Sequence, residues 1–369
     1  MRRALSLLLL LSLLLCACGA RETGAPAEPT DSMPLSYAEN FAVDYYTEDA
    51  AVLTLGGTER YLLLKQDAEA PAAFAELPVI RYPVERVYLA SSSAADLFDR
   101  IGALDCVAFT STKASDWRLD AMHAALEDGA IQYAGKYSAP DYELLLEEGA
   151  DLIVENTMIF HTPAAQEKLV SLGFPLFVEY SSYEPHPLGR VEWIKLYGLL
   201  TGHLAEAEAF FEEQIAAVQA VDTAESNGKT VAFFHFTPNG AVVVRRNADY
   251  VTRMIELAGG ETAFTDLPED DKALSTVTIQ MESFYTQARD ADVLIYNSTV
   301  AGELSDLDAL LAQSPLMADF KAVQTGNVWC TEQSMFQRSS ATASMIAEIH
   351  AILTGTADAQ QLRYFRHVQ

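Results

Sequence analysis

Apolar residues recur at helical spacing through the middle of the chain, at Trp193, Tyr197, Leu200, Leu204, Ala207, Phe211, Ile215 and Val218. Gly198 and the Thr201-Gly202 pair interrupt the pattern, which predicts two helices over roughly 190–200 and 203–222. The second is rich in Ala and Glu, both strong helix formers, and at 1.5 Å per residue it is about 30 Å long. On each side of it strands and helices alternate, so it reads as a strut between two halves.

Residues 40–64 alternate in strand fashion around the Gly56-Gly57 turn and predict an N-terminal β-meander. From Arg86 onward, short apolar runs at 87–90, 107–109, 131–133, 152–154 and 176–178 alternate with helical segments. That rhythm predicts a mostly parallel sheet covered by helices, where ligands collect at the carboxyl ends of the strands. Beyond the strut, 229–236 and 241–244 flank Thr237-Pro238-Asn239-Gly240 and predict a hairpin. A helix over 250–257 stops at Gly259-Gly260, and a closing helix is expected over 341–353. The halves echo each other. Glu143, then Ala150-Asp151, an apolar strand and Asn156-Thr157 reappear as Glu282, Ala291-Asp292, an apolar strand and Asn297-Ser298. Two similar α/β lobes account for this better than one continuous sheet.

The amino terminus changes the picture of where the chain resides. Met1-Arg2-Arg3 is a basic start, and the apolar run over 4–15 is too short for a permanent membrane span, so residues 1–17 read as a signal peptide. Leu15-Cys16-Ala17-Cys18 resembles a bacterial lipobox with Cys18 as the lipidated residue, followed by a flexible tether over 18–39. Cleavage there removes two arginines and no acid, taking the formal charge from −28 to −30. Such an acidic surface argues against nucleic acid as a partner. The remaining chain, about 350 residues, suits two domains. Cys106 and Cys330 fall in different halves and are expected to be free buried thiols.

A family resemblance rests on several short motifs in order. Arg86-Val-Tyr-Leu-Ala-Ser-Ser-Ser, Ile101-Gly-Ala-Leu-Asp105, Ala134-Gly-Lys-Tyr137, Ala150-Asp-Leu-Ile153, Leu199-Leu-Thr-Gly202 and Ile255-Glu-Leu-Ala-Gly-Gly260 resemble the periplasmic iron-complex and vitamin B12 binding proteins. The resemblance implies two doubly wound α/β lobes joined by one long helix, with the ligand cleft between them. On this chain it divides 40–202 (first lobe), 203–222 (connecting helix) and 223–369 (second lobe). It implies a monomeric, lipid-anchored substrate-binding component on the outer face of a bacterial membrane. Its partners would be an ABC permease and ATPase, and its cargo a siderophore, haem or corrinoid rather than an intrinsic cofactor. The family docks on its permease through one surface Glu per lobe, and Glu143 and Glu282 match that pattern.

Candidate ligand residues cluster at predicted strand ends. Polar ones are Ser92, Thr110, Asn156 and Asn297, any of which equally starts a helix as an N-cap. Trp117, Tyr137, Tyr180 and Phe336 supply flat apolar walls suited to a macrocycle or organic chelate. Arg190, Arg245 and Arg338 suit carboxylates or the negative charge of a ferric chelate. His186 and His235 lie in the same region without a zinc-type spacing. No HExxH, CxxC pair, GxSxG, phosphate loop or dinucleotide fingerprint is present, so no catalytic motif supports an enzyme. Two alternatives remain: a binding protein for a bare transition metal, and a secreted lipoprotein enzyme on the same scaffold.

Overall fold

The computed structural model describes residues 28–221, 228–267 and 275–369. The signal peptide, Cys18 and the start of the tether lie outside the described residues. In chain order the strands are β1 (Phe41–Tyr45), β2 (Ala50–Leu55), β3 (Glu59–Lys65), β4 (Val79–Tyr82), β5 (Val87–Leu89), β6 (Val107–Thr110), β7 (Gln132–Tyr133), β8 (Leu152–Asn156) and β9 (Leu176–Glu179) in the first half. The second half adds β10 (Thr230–Phe236), β11 (Val242–Arg245), β12 (Thr276–Ile279), β13 (Val293–Tyr296), β14 (Val328–Thr331) and β15 (Phe365–His367).

Among the described residues the first lobe carries two five-stranded sheets, besides the small two-stranded ladder of Gly135–Lys136 with Ala139–Pro140. The meander β1–β4 forms one, joined by the two-residue strand Asp31–Ser32. The other is parallel with order β9-β8-β5-β6-β7. That order reverses between β5 and β8, the topological switch point at which doubly wound sheets bind ligands. The second lobe has a parallel centre of β10, β13 and β14, flanked by antiparallel β11 and β12 on one side and β15 on the other. Its β10–β11 hairpin matches the expected one, and it makes this sheet mixed where the first is wholly parallel.

The helix Pro187–Thr201 corresponds to the first of the two expected helices, 190–200, and lies in the core. Nearly every residue in it is buried, including Trp193 and Tyr197 at 0 % exposure. Trp193 packs on Phe41 of the meander at 4.9 Å, and Tyr197 on Phe98 of the helix Ser92–Arg100 at 4.9 Å. One core therefore joins meander, sheet and helix into a single lobe. Gly198 does not break this helix. A Cβ there would stand 2.7 Å from Ala207 Cβ and 2.8 Å from the His203 carbonyl, so only glycine lets the following helix pack this closely. That helix, Leu204–Gln219, is the connector, and its far end supports the closing helix Thr342–Thr354 of the second lobe.

The chain is tied down from Thr30 onward, which shortens the expected tether. The Glu192 carboxylate, fully buried, accepts the amides of Ser36, Tyr37 and Ala38 at 2.8–3.0 Å and the Lys195 ammonium at 2.8 Å. Glu184 accepts the amides of Glu39 and Asn40 at 2.8 and 3.0 Å and the Trp193 indole N–H at 2.8 Å. Two buried acids thus become anchors for five successive backbone donors, a charge-assisted arrangement that repays their desolvation. Where this strap crosses the helix, a Cβ on Gly189 would meet the Tyr37 carbonyl at 2.8 Å.

Candidate functional site

The internal echo has a structural cause. In the first lobe Asp151 accepts the amides of Glu85 and Arg86 at 2.6 and 3.0 Å, fixing the chain that enters β5. In the second, Asp292 accepts the amide of Thr230 at 2.9 Å at the start of β10. Each Asp therefore pins the strand beside its own at the amino end of the sheet. At the carboxyl end, the Asn156 side chain accepts the Met158 amide at 2.9 Å and donates to the Ala90 carbonyl at 3.0 Å, bridging the switch point. Asn297 accepts the Thr299 amide at 3.2 Å.

The carboxyl ends of the two sheets face each other. Arg118, in the segment after β6, donates its amide to Gln337 Oε1 at 2.8 Å and its guanidinium to Gln333 Oε1 at 3.2 Å. Gln337 and Arg338 in turn donate to the carbonyls of Asp116 and Arg118 at 3.0 and 3.2 Å. Deeper in, Ser339 donates to the Ser93 carbonyl at 2.8 Å, and the Ser340 amide to Asp96 at 2.7 Å. The turn after β14 is consequently the point where the lobes meet around the strand ends.

Two cavities open on the second lobe's rim. One, about 590 Å³, is walled by His235, Phe236, Pro238, Tyr296, Val300 and Gln313. The other, also about 590 Å³, lies at the lobe junction between Arg118, Glu303, Glu332, Gln333, Arg338 and Arg363. The turn after the helix Ser298–Ala301 separates them: Val300 and Ala301 line the first and Glu303 the second. On the first lobe's rim, Met158, Phe160 and Tyr183 are 49, 43 and 37 % exposed beyond β8 and β9, large apolar side chains left at the strand ends.

The residues expected from sequence fall into two groups. Tyr137 is half-buried in the turn between the short strands Gly135–Lys136 and Ala139–Pro140, and Ser92 opens the helix at the switch point. Asn156, His235 and Arg338 also have side chains at a strand end or cavity wall. Burial, with Arg245 next, pushes His235 below the usual imidazole range, which keeps it neutral and a hydrogen-bonding group at pH 7. Tyr180 donates to Glu59 at 2.8 Å and packs on the Gly56 turn, locking the meander to the rim.

The other group is committed elsewhere. Trp117 is 2 % exposed and its indole donates to the Thr112 carbonyl, so its ring is part of the first lobe's core. Thr110 and Asn297 are buried, the latter as a helix cap. Arg190 lies buried on the Tyr250 ring at 4.0 Å. Arg245 is paired with Asp249 at 3.3 Å and covers the half-buried Phe336 ring at 4.8 Å, so its charge is already matched. His186 stacks on Tyr37 and accepts the Leu188 amide; burial followed by Arg253 lowers it to about 4. A position in sequence does not say which way a side chain turns, and these turn toward the interior or toward partners within the fold.

Sequence reasoning passed over Arg118 and Arg363, which the structure brings to Arg338. It also passed over Glu155, fully buried on β8 with no side-chain partner; burial raises its carboxyl to about 8. An isolated acid in the apolar run Leu152–Asn156 was the available signal. Glu143 and Glu282 are exposed in the first turns of the helices Tyr142–Glu147 and Met281–Ala288. Cys106 is half-buried and Cys330 buried, both as free thiols. No cluster of three metal-binding side chains occurs among the described residues, and no helix there is long and apolar enough to cross a membrane.

Residues 87–334 match the family model of periplasmic binding proteins. An uncharacterised lipoprotein of Methanocaldococcus jannaschii is 24 % identical over 335 residues, spanning 82 % of this chain and 77 % of its own. Among solved structures, a periplasmic haem-binding protein from Pseudomonas aeruginosa aligns with TM-score 0.58 at 16 % identity, covering 77 % of this chain and 98 % of that one. An ABC-type Fe3+-hydroxamate transport protein from Saccharomonospora viridis aligns with TM-score 0.55 at 18 % identity, over 73 and 93 % of the two chains. At such identities these structures speak to the fold alone.

Proposed function

The chain belongs to the periplasmic binding protein family, and from that premise we propose that it captures an iron chelate, haem or corrinoid between its lobes and hands it to an ABC importer. Proteins of this family bind small ligands and work with permease and ATPase components. The observation that carries the reading is the facing of the two carboxyl rims across Arg118 and Gln337, with an apolar rim on one lobe and two cavities of about 590 Å³ each on the other. That is room for a bulky ligand held by flat apolar walls and a few polar groups. Tyr137, Asn156, His235 and Arg338 are the expected residues whose positions suit contact with it.

We read the chain as a binding protein rather than an enzyme because its family is one of substrate-binding proteins. Lipidation at Cys18 holds it on the outer face of the membrane, a reading supported by the lipoprotein name of its relative. Glu143 and Glu282, exposed on opposite lobes, contact the permease. Titration of the chain lacking residues 1–17 with haemin, ferric hydroxamate and cyanocobalamin tests the reading. One class should bind with one-to-one stoichiometry at micromolar concentration or tighter. Binding of none, together with tight binding of a free divalent ion, would establish the bare-metal alternative instead.

A further inference from the structure

The cavity at the lobe junction is at odds with the charge of the rest of the molecule. The sequence holds 52 acidic and 24 basic residues, yet three guanidinium groups, Arg118, Arg338 and Arg363, line one space of about 590 Å³. Of the two acids on the same wall, Glu303 is already paired with Arg366 at 3.0 Å, which leaves Glu332 against three cations. None of the three arginines has a carboxylate in salt-bridge contact among the described residues. The guanidinium groups of Arg118 and Arg338 donate to neutral partners: the Ser115 and Trp117 carbonyls, Gln333, Ser334 and the Arg118 carbonyl. Arg363 is exposed, and only its backbone amide is bonded, to Glu348.

Glu332 shares the wall, and Asp96 and Glu348 act on Arg338 and Arg363 without reaching salt-bridge contact, so three crowded guanidinium groups still favour an anion between them, and guanidinium forks match planar oxyanions two bonds at a time. The cavity draws Arg118 from the first lobe and Arg338 and Arg363 from the second, so an anion seated there touches both. Across the turn at Val300–Glu303, the neighbouring cavity offers Phe236, Pro238 and Tyr296. Resting on the binding-protein reading above, we propose that the ligand is anionic and bipartite. Its oxyanion groups sit between Arg118, Arg338 and Arg363, and its apolar body lies against the Phe236–Tyr296 wall. This selects carboxylate- or catecholate-bearing chelates, haem included, over uncharged hydroxamate complexes and cobalamins.

The test compares four probes on the chain lacking residues 1–17: haemin and the iron(III) complex of 2,3-dihydroxybenzoate as anions, and ferric acetohydroxamate and cyanocobalamin as uncharged species. Arg363→Gln is the milder variant, because this side chain is exposed and makes no salt bridge, its charge acting on Glu348 and Tyr364 only at a distance; Arg118→Gln is the second. An anionic probe should bind the parent chain, weaken about tenfold or more in each variant, and outcompete both uncharged probes. Tight binding of an uncharged probe alone, or anion binding unchanged in Arg363→Gln, overturns the assignment while leaving a chelate-binding protein in place. Failure of all four probes to bind the parent chain removes the binding reading and this assignment with it.

Discussion

The two lobes share a plan and differ in where they keep their charges. Among the described residues, the first lobe buries Asp96, Glu155, Glu179, Glu184, Arg190, Glu192 and Lys195, whereas the second buries Asp249. Most of the first lobe's charges are structural: Glu192 and Glu184 hold the strap, and Glu179 accepts the Ser91 hydroxyl at 2.8 Å and the Ser181 amide at 2.9 Å beneath the switch point. The second lobe instead leaves its polar groups on cavity walls, His235 on one and Arg338 and Arg363 on the other. One lobe is an internally braced frame, and the other contributes most of the residues lining the two rim cavities. Sequence similarity between the halves, strongest at the Asp and Asn of each strand, hides that division because those residues do the same backbone work in both.

The sharpest way to break the comparison is to remove a brace. Glu192→Ala deletes the acceptor for three amides and leaves the Lys195 ammonium buried without its partner, which should cost about 3–5 kcal/mol in urea unfolding. A loss under 1 kcal/mol would mean the strap is not held by charge.

Glu155 should behave in the opposite sense. Its folded carboxyl, raised to about 8 by burial, keeps a proton that the unfolded chain releases from about 4.5 upward. Stability from this group is therefore present below pH 4.5 and lost as pH rises toward 8. Glu155→Gln should stabilise the protein by about 2–4 kcal/mol at pH 8 and change little at acid pH. Equal effects at both pH values would show that the carboxyl is not held neutral.

A matched pair tests the shared plan itself. Asp151→Ala and Asp292→Ala each remove the acceptor for the amide entering a neighbouring strand, so each should cost about 1–3 kcal/mol. A large effect in one lobe alone would make the echo a coincidence of sequence. Smallest of all should be the double substitution Glu143→Ala and Glu282→Ala. Both side chains are exposed, so melting and ligand affinity should hold while uptake through the cognate permease slows.

Much of the fold was legible because it is written in periodicity. Alternation gave the meander, the β–α rhythm gave the first sheet, and the Thr237-Pro238-Asn239-Gly240 turn gave the hairpin. The two central helices were legible from their spacing, but not why glycine stands at 198, where the closeness of Ala207 leaves no room for a Cβ. The strap was unreadable since its ordering depends on acids 150 residues away. At the site, strand-end positions could be located but not side-chain directions: Trp117 turns into the core, and its neighbour Arg118 turns into the lobe junction. Arg363 lies near the end of the chain, and only the pairing of β14 with β15 brings it to the cavity.

The central claim is that ligand sits between the lobes, against both carboxyl rims. Hydrogen exchange measured by mass spectrometry with and without the bound chelate tests it directly. Protection should appear together in the rim segments 157–161 and 181–183 of the first lobe and 235–238, 298–303 and 333–338 of the second, with the amino-end segment 325–329 unchanged. Protection confined to one lobe, or to the amino-end cavity near Gly326 and Trp329, would contradict it.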